Sequence, residues 1–128
     1  MEPPVLRGKR ILLVDDENHV RNAFRMMLEI DEHEITEATN GTEALEWFAK
    51  AQFDLVITDF EMPVMKGNEM AVRIKALAPQ QPILMITAYE RRRDADNPVD
   101  AIVNKPVTLR ELRMAIASVL ANPVEGNH

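Results

Sequence analysis

Five polar residues of this chain stand where apolar runs stop. Asp15 and Asp16 follow Ile11-Leu-Leu-Val14, Asp59 follows Leu55-Val-Ile-Thr58, Thr87 closes Ile83-Leu-Met-Ile-Thr87, and Lys105 follows Ala101-Ile-Val-Asn104. An apolar strand that stops at a loop mouth holds one reactive group at the edge of a sheet. Taken singly, each of these residues reads equally well as one that turns the chain or solvates a sheet edge. Together they suit one job. Three clustered carboxylates repel one another and need a cation to stay ionised. A hard divalent ion such as Mg²⁺ meets that need, because it favours carboxylate oxygens, waters and a phosphate oxygen. Lys105 and the Thr87 hydroxyl would contact the other oxygens of an incoming phosphoryl group, and a carboxylate can act as nucleophile to give an acyl phosphate. Catalysis of such a transfer is mostly positioning and charge neutralisation.

These residues converge only if the elements carrying them stack in one direction. Ile11–Val14 and the stretches ending at Asp59 and Thr87 are continuous apolar runs, as expected of strands covered on both faces in a parallel sheet. Glu34–Ala38 alternates weakly and reads as an edge strand, and Ala101–Lys105 as the fifth strand. Between them fall helical patterns: Val20, Phe24, Met27 and Leu28 as one buried stripe; Ala44, Leu45 and Phe48, with Trp47 just off the stripe and read as packing; Asn68 to about Leu77, with Met70, Ile74 and Leu77 on one side; and Leu109, Leu112, Ile116 and Val119. Asn40-Gly-Thr-Glu43 and Thr108-Leu-Arg-Glu111 carry the spacing of helix-starting capping boxes. Five alternations with short connections predict an α/β domain with right-handed crossovers and helices on both faces of the sheet. All strand ends then face one edge, where ligands bind near the topological switch point.

Composition narrows the chemistry. With 128 residues, 46% hydrophobic and 28% charged, the chain fits one domain with its own core. It has no cysteine, hence neither disulfide nor thiolate metal site. No apolar run approaches a membrane span and no signal-peptide pattern opens the chain, so it is read as cytoplasmic. A net charge of −6 argues against direct nucleic-acid binding, and Arg91–Arg93 reads as a solvated face. The acidic loop Asp15-Asp16-Glu17 would repel a bare phosphate, unlike the Gly-rich cradle of nucleotide binders. His19, His33 and His128 are scattered and read as surface residues.

The motifs Ile-Leu-Leu-Val-Asp15-Asp16-Glu17, Asp54-Leu-Val-Ile-Thr-Asp59-Phe-Glu61-Met-Pro63, Ile86-Thr87-Ala88 and Asn104-Lys105-Pro106 together resemble the receiver domains of bacterial two-component response regulators, the family of the single-domain chemotaxis regulators. The resemblance runs from about Lys9 to Leu120. It implies a flavodoxin-like, doubly wound five-stranded parallel sheet of order 2-1-3-4-5, with residues 9–121 as the receiver domain, residues 1–8 as an N-terminal extension and residues 122–128 as a frayed tail. It further implies that Asp59 accepts a phosphoryl group from the phosphohistidine of a sensor histidine kinase or phosphotransfer protein. Asp16, Asp59 and the Glu61 carbonyl would bind Mg²⁺, with Asp15 acting through water, while Thr87 and Lys105 hold the phosphoryl oxygens. Such a protein is a phosphoacceptor that assists its own reactions rather than an enzyme with turnover, and it reports to a downstream protein target. The Lys105–Pro106 peptide is expected to be cis.

Two features depart from the family pattern. Ile102 stands where most relatives carry Phe or Tyr; it is stiff at χ1 and has no ring to swing. The segment between Thr87 and Ile102 is shorter than usual by roughly one helical turn, so the fourth helix is expected to be short or irregular. Tyr89 lies in that segment and is read as a surface tyrosine; with Glu61, also two residues past a site residue, it is expected to tune acyl-phosphate lifetime. Two other readings remain at this stage. Ile102 and the short segment suit a receiver-like protein-binding module that has lost phosphorylation-dependent switching, for which NMR shifts confined to the pocket would be diagnostic. Asp59-Phe-Glu61 suits a small aspartyl phosphohydrolase, although such enzymes place the nucleophile after the first strand; turnover of a phosphomonoester would identify one. The chain leaves no room for an output domain, so it either works alone or is one piece of a longer protein.

Overall fold

A computed structural model describes residues 5–88 and 97–121. The apolar runs form β1 (Arg10–Val14), β3 (Leu55–Thr58) and β4 (Ile83–Thr87), while β2 (Glu34–Ala38) and β5 (Ala101–Asn104) are less buried. All pair in parallel in the order β2-β1-β3-β4-β5. The three central strands are the ones with continuous hydrophobicity, because each must face apolar neighbours on both sides. Alternate residues supply the two cores. Leu12, Val14, Val56 and Met85 face the side covered by α2 (Gly41–Lys50) and α3 (Gly67–Leu77). Ile11, Leu13, Leu55, Ile57, Leu84 and Ile86 face α1 (Asn18–Ile30) and α4 (Leu109–Ala121). Each fully buried Leu or Ile contributes about 1.5–3 kcal/mol, so the sheet that carries the site is also the most strongly held part of the chain.

Helix starts follow the caps written in the sequence. The Glu43 N–H donates to Asn40 Oδ1 at 2.7 Å, while the Glu43 carboxylate accepts from the Thr39 N–H at 2.7 Å and the Thr39 hydroxyl at 2.8 Å. At α4, Thr108 and Glu111 exchange bonds of 2.9 and 3.0 Å. The Lys105–Pro106 bond is cis. Among the described residues no helix is long and apolar enough to cross a membrane.

Several expectations need correcting. Leu77 does not share the buried side of α3; at the end of the helix it is 68% exposed, while Met70 and Ile74 are fully buried. Trp47 is exposed and outside both cores. His33 is buried rather than on the surface. Its Nδ1 accepts the Lys9 N–H at 3.0 Å, and burial holds its pKa below the ordinary histidine value. The central part of the segment between β4 and β5, with Tyr89 and Arg91–Arg93, lies outside the described residues, as does the C-terminal tail; residues 97–100 are non-helical.

The two helices on one face are joined across the chain. Arg113 of α4 donates to both oxygens of Asp31, at 2.9 and 2.8 Å, just past α1. These bonds to the buried Asp31 hold its carboxyl below the ordinary range. A depressed carboxyl stabilises the fold above its unfolded pKa and loses that contribution as pH falls through the folded value. Asp31→Asn should therefore lower the thermal midpoint at pH 7, and the gap from wild type should close at pH values well below about 4. A gap of the same size in acid would show that the pair does not act through its charge.

Val64 carries the other local signature. It has φ 73°, a region that costs an L-residue about 1–2 kcal/mol and is least tolerated by a β-branched side chain. It is also 92% exposed, so no packing offsets that cost. Asn adopts this region readily, and Val64→Asn should raise stability by about 1 kcal/mol in urea unfolding. A loss would mean that the side chain is held by something other than its backbone.

Candidate functional site

Three strand ends meet at one edge of the sheet. The Asp15 N–H donates to the Ala38 carbonyl at 3.1 Å and the Asp59 N–H to the Val14 carbonyl at 3.3 Å, so both acids leave the sheet still tied to its ladder. The Lys105 N–H donates to the Thr87 carbonyl at 2.8 Å, which sets those two residues side by side. The result is a cleft of about 710 Å³ lined by Asp16, Asp59, Glu61, Lys66, Thr87 and Lys105 among others, with Asp15 buried beneath it.

Lys105 joins the two inner acids. Its Nζ lies 3.1 Å from Asp59 Oδ2 and 3.4 Å from Asp15 Oδ2. The second oxygens are fixed by backbone: Asp59 Oδ1 accepts the Phe60 N–H at 2.6 Å and Asp15 Oδ1 the Glu17 N–H at 2.9 Å. Burial pushes the Asp15 carboxyl up; the Glu17 N–H and Lys105 pull it down without cancelling the effect. Burial also works against the charge on Lys105, but Asp15 and Asp59 outweigh it and its pKa is raised. Two carboxylates thus share one ammonium, and Asp15 remains short of positive charge.

The arrangement fits a hard cation. The donors are all carboxylate or carbonyl oxygens, and an ammonium already bridges two of the acids. Asp16 is exposed at the cleft wall. Among the described residues no group of three or more His, Cys, Asp or Glu side chains is gathered closely enough to hold a metal ion. Glu61 illustrates why: its carboxylate turns to Lys66, at 3.1 and 3.2 Å, leaving only its backbone for such a role.

The structure brings Asp15, Asp59 and Lys105 into contact and sets Asp16, Glu61 and Thr87 around the same cleft. Ile102 is half-buried, packed against the core on the face of α2 and α3. Three supporting residues were missed from sequence. Arg21 donates to the Asp15 carbonyl at 2.7 Å and to Glu37 at 2.8 Å, bracing the first loop. Lys66 pairs with Glu61, and Gly67 packs against the Asp59 carbonyl. Only the glycine gave a signal, as the residue that ends a loop and opens a helix.

Comparison with known proteins agrees with this geometry. Residues 11–117 match the model of the response regulator receiver domain. Response regulator receiver protein CpdR of Brucella abortus is 36% identical over 116 residues, which cover 88% of this chain and 97% of CpdR. Autoinducer 1 sensor kinase/phosphatase LuxN of Vibrio campbellii is 34% identical over 113 residues, but the chain spans only 13% of its length. Among solved structures, response regulator TrrA of Thermotoga maritima in complex with Mg²⁺ and BeF superposes with a TM-score of 0.83 at 38% identity, over 88% of this chain and 99% of TrrA. TrrA has also been solved with the histidine kinase ThkA, with a TM-score of 0.81 over 88% of this chain and 98% of that one.

Proposed function

The chain belongs to the response regulator receiver domain family of two-component signalling, and from that premise we propose that Asp59 is its phosphoacceptor, with the phosphohistidine of a histidine kinase or phosphotransfer protein as donor. The observation that carries this is the Lys105 ammonium 3.1 Å from Asp59 Oδ2 at the floor of an open cleft. The Phe60 N–H anchors Oδ1 and prevents the carboxylate from turning. Oδ2 is then the oxygen that forms the new P–O bond as the donor P–N bond breaks and the imidazole leaves. Lys105 and Thr87 receive the phosphoryl oxygens, where negative charge collects. Asp15, Asp16, Asp59 and the Glu61 carbonyl would hold Mg²⁺. When bound, Mg²⁺ neutralises charge on the phosphoryl oxygens and on the acids. The solved TrrA complexes with Mg²⁺ and BeF and with a histidine kinase support this reading by likeness. Fixed groups do the rest, with no conformational change needed to assemble Asp59, Asp15 and Lys105.

Incubation with a small phosphoryl donor such as acetyl phosphate should add one phosphoryl group per chain in the presence of Mg²⁺ and far less in its absence. Intact-mass measurement followed by peptide mapping reads both the stoichiometry and the site. No Mg²⁺-dependent adduct, or an adduct mapping away from Asp59, would overturn the assignment.

A further inference from the structure

The loop from Asp59 to α3 folds back on itself. The Gly67 N–H donates to the Phe60 carbonyl at 2.9 Å and the Met65 N–H to the Pro63 carbonyl at 2.8 Å. That closure returns Lys66 to the start of the loop. Its Nζ lies 3.1 and 3.2 Å from the two Glu61 carboxylate oxygens and 5.6 Å from the centre of the Phe60 ring. Glu61 and Lys66 both line the cleft that holds Asp59, Thr87 and Lys105. Glu61 is thus a carboxylate two residues from the acceptor, with both oxygens engaged by one ammonium.

An acyl phosphate on Asp59 ends by hydrolysis. Water attacks phosphorus, the bond from phosphorus to the Asp59 oxygen breaks, the carboxylate is restored and inorganic phosphate leaves. The attacking water loses a proton, and a nearby carboxylate with a free oxygen would orient that water and take the proton. We propose that Lys66 is a positioning residue that holds the Glu61 carboxylate away from this water and so lengthens the life of the phosphorylated state. The proposal rests on Asp59 being the acceptor. The side chains of Lys66 and Glu61 are 52% and 41% exposed, and an exposed ion pair biases its partners only a few-fold. The closed loop and the Phe60 ring add to that bias by limiting where Lys66 can go.

The test follows phosphoryl loss, by intact mass, after the small donor is removed from chains loaded with Mg²⁺. Lys66→Ala should speed decay by about three- to five-fold, Lys66→Arg should restore the wild-type rate, and Lys66→Ala in a Glu61→Ala background should have no effect. A wild-type chain that takes up no phosphoryl group sinks the acceptor assignment and this proposal with it. Normal uptake, with Lys66→Ala decaying at the wild-type rate or accelerating equally in both backgrounds, overturns this proposal alone.

Discussion

Asp59→Asn should abolish the Mg²⁺-dependent phosphoryl adduct while leaving the fold intact. The amide keeps the Oδ1 that accepts the Phe60 N–H but supplies no anionic oxygen to attack phosphorus. Lys105, which divides its charge between Asp59 and Asp15, would then serve Asp15 alone. Without metal, the thermal midpoint should stay the same or rise. In added Mg²⁺ the wild type should gain stability, since a ligand bound only by the folded state stabilises by mass action, about 2.7 kcal/mol at a hundred times its dissociation constant. The variant should gain less, having lost one of the acids expected to hold the ion. Intact-mass and melting measurements on the two proteins separate these effects. An adduct that persists in the variant would show that another residue is the acceptor.

Gly67→Ala should cost about 3 kcal/mol, at the upper end of overpacking penalties. A Cβ at Gly67 would press into the Asp59 carbonyl oxygen, far inside any non-bonded contact, and would meet the Asp59 carbonyl carbon at 3.0 Å and Met85 Cε at 3.1 Å. A methionine tip can swing aside; a peptide carbonyl cannot. Relief requires α3 and the end of β3 to separate, which also strains the bond between the Gly67 N–H and the Phe60 carbonyl. Because the obstructed group is the acceptor's own backbone, whatever folded population remains should also take up phosphoryl groups poorly. Gly41→Ala is the informative control. Its Cβ would meet Met65 Sδ at 2.8 Å, a flexible side chain, and should cost about 1 kcal/mol. Urea unfolding of the two variants checks the contrast, and equal losses would refute the steric argument.

The acceptor, its acidic neighbours, Thr87 and Lys105 were readable because each interrupts an apolar run, and a parallel sheet sends all such interruptions to one edge. The Thr108–Glu111 cap was readable because its partners are three residues apart. Pairings set by the tertiary fold were not. Nothing in local spacing links Arg113 to Asp31, 82 residues away, or marks His33 as a buried acceptor for the Lys9 N–H. Leu77 fits the apolar period of its helix yet is exposed at the helix end. Gly67 was legible as a hinge between loop and helix, but its reason is steric, since a carbonyl occupies the space of its missing side chain.

Asp15, Asp59, Thr87 and Lys105 come from four strand ends dispersed along the sequence and meet only when the sheet is complete. Lys105 and Asp15 are 90 residues apart. Contacts so distant close late and at an entropic cost that only the finished core repays. A nascent or clipped polypeptide lacking β5 still contains Asp59 but not the lysine that readies it. Competence to carry the signal therefore coincides with structural integrity. Truncated or half-built copies would be silent bystanders to the kinase, not decoys that drain its phosphoryl groups.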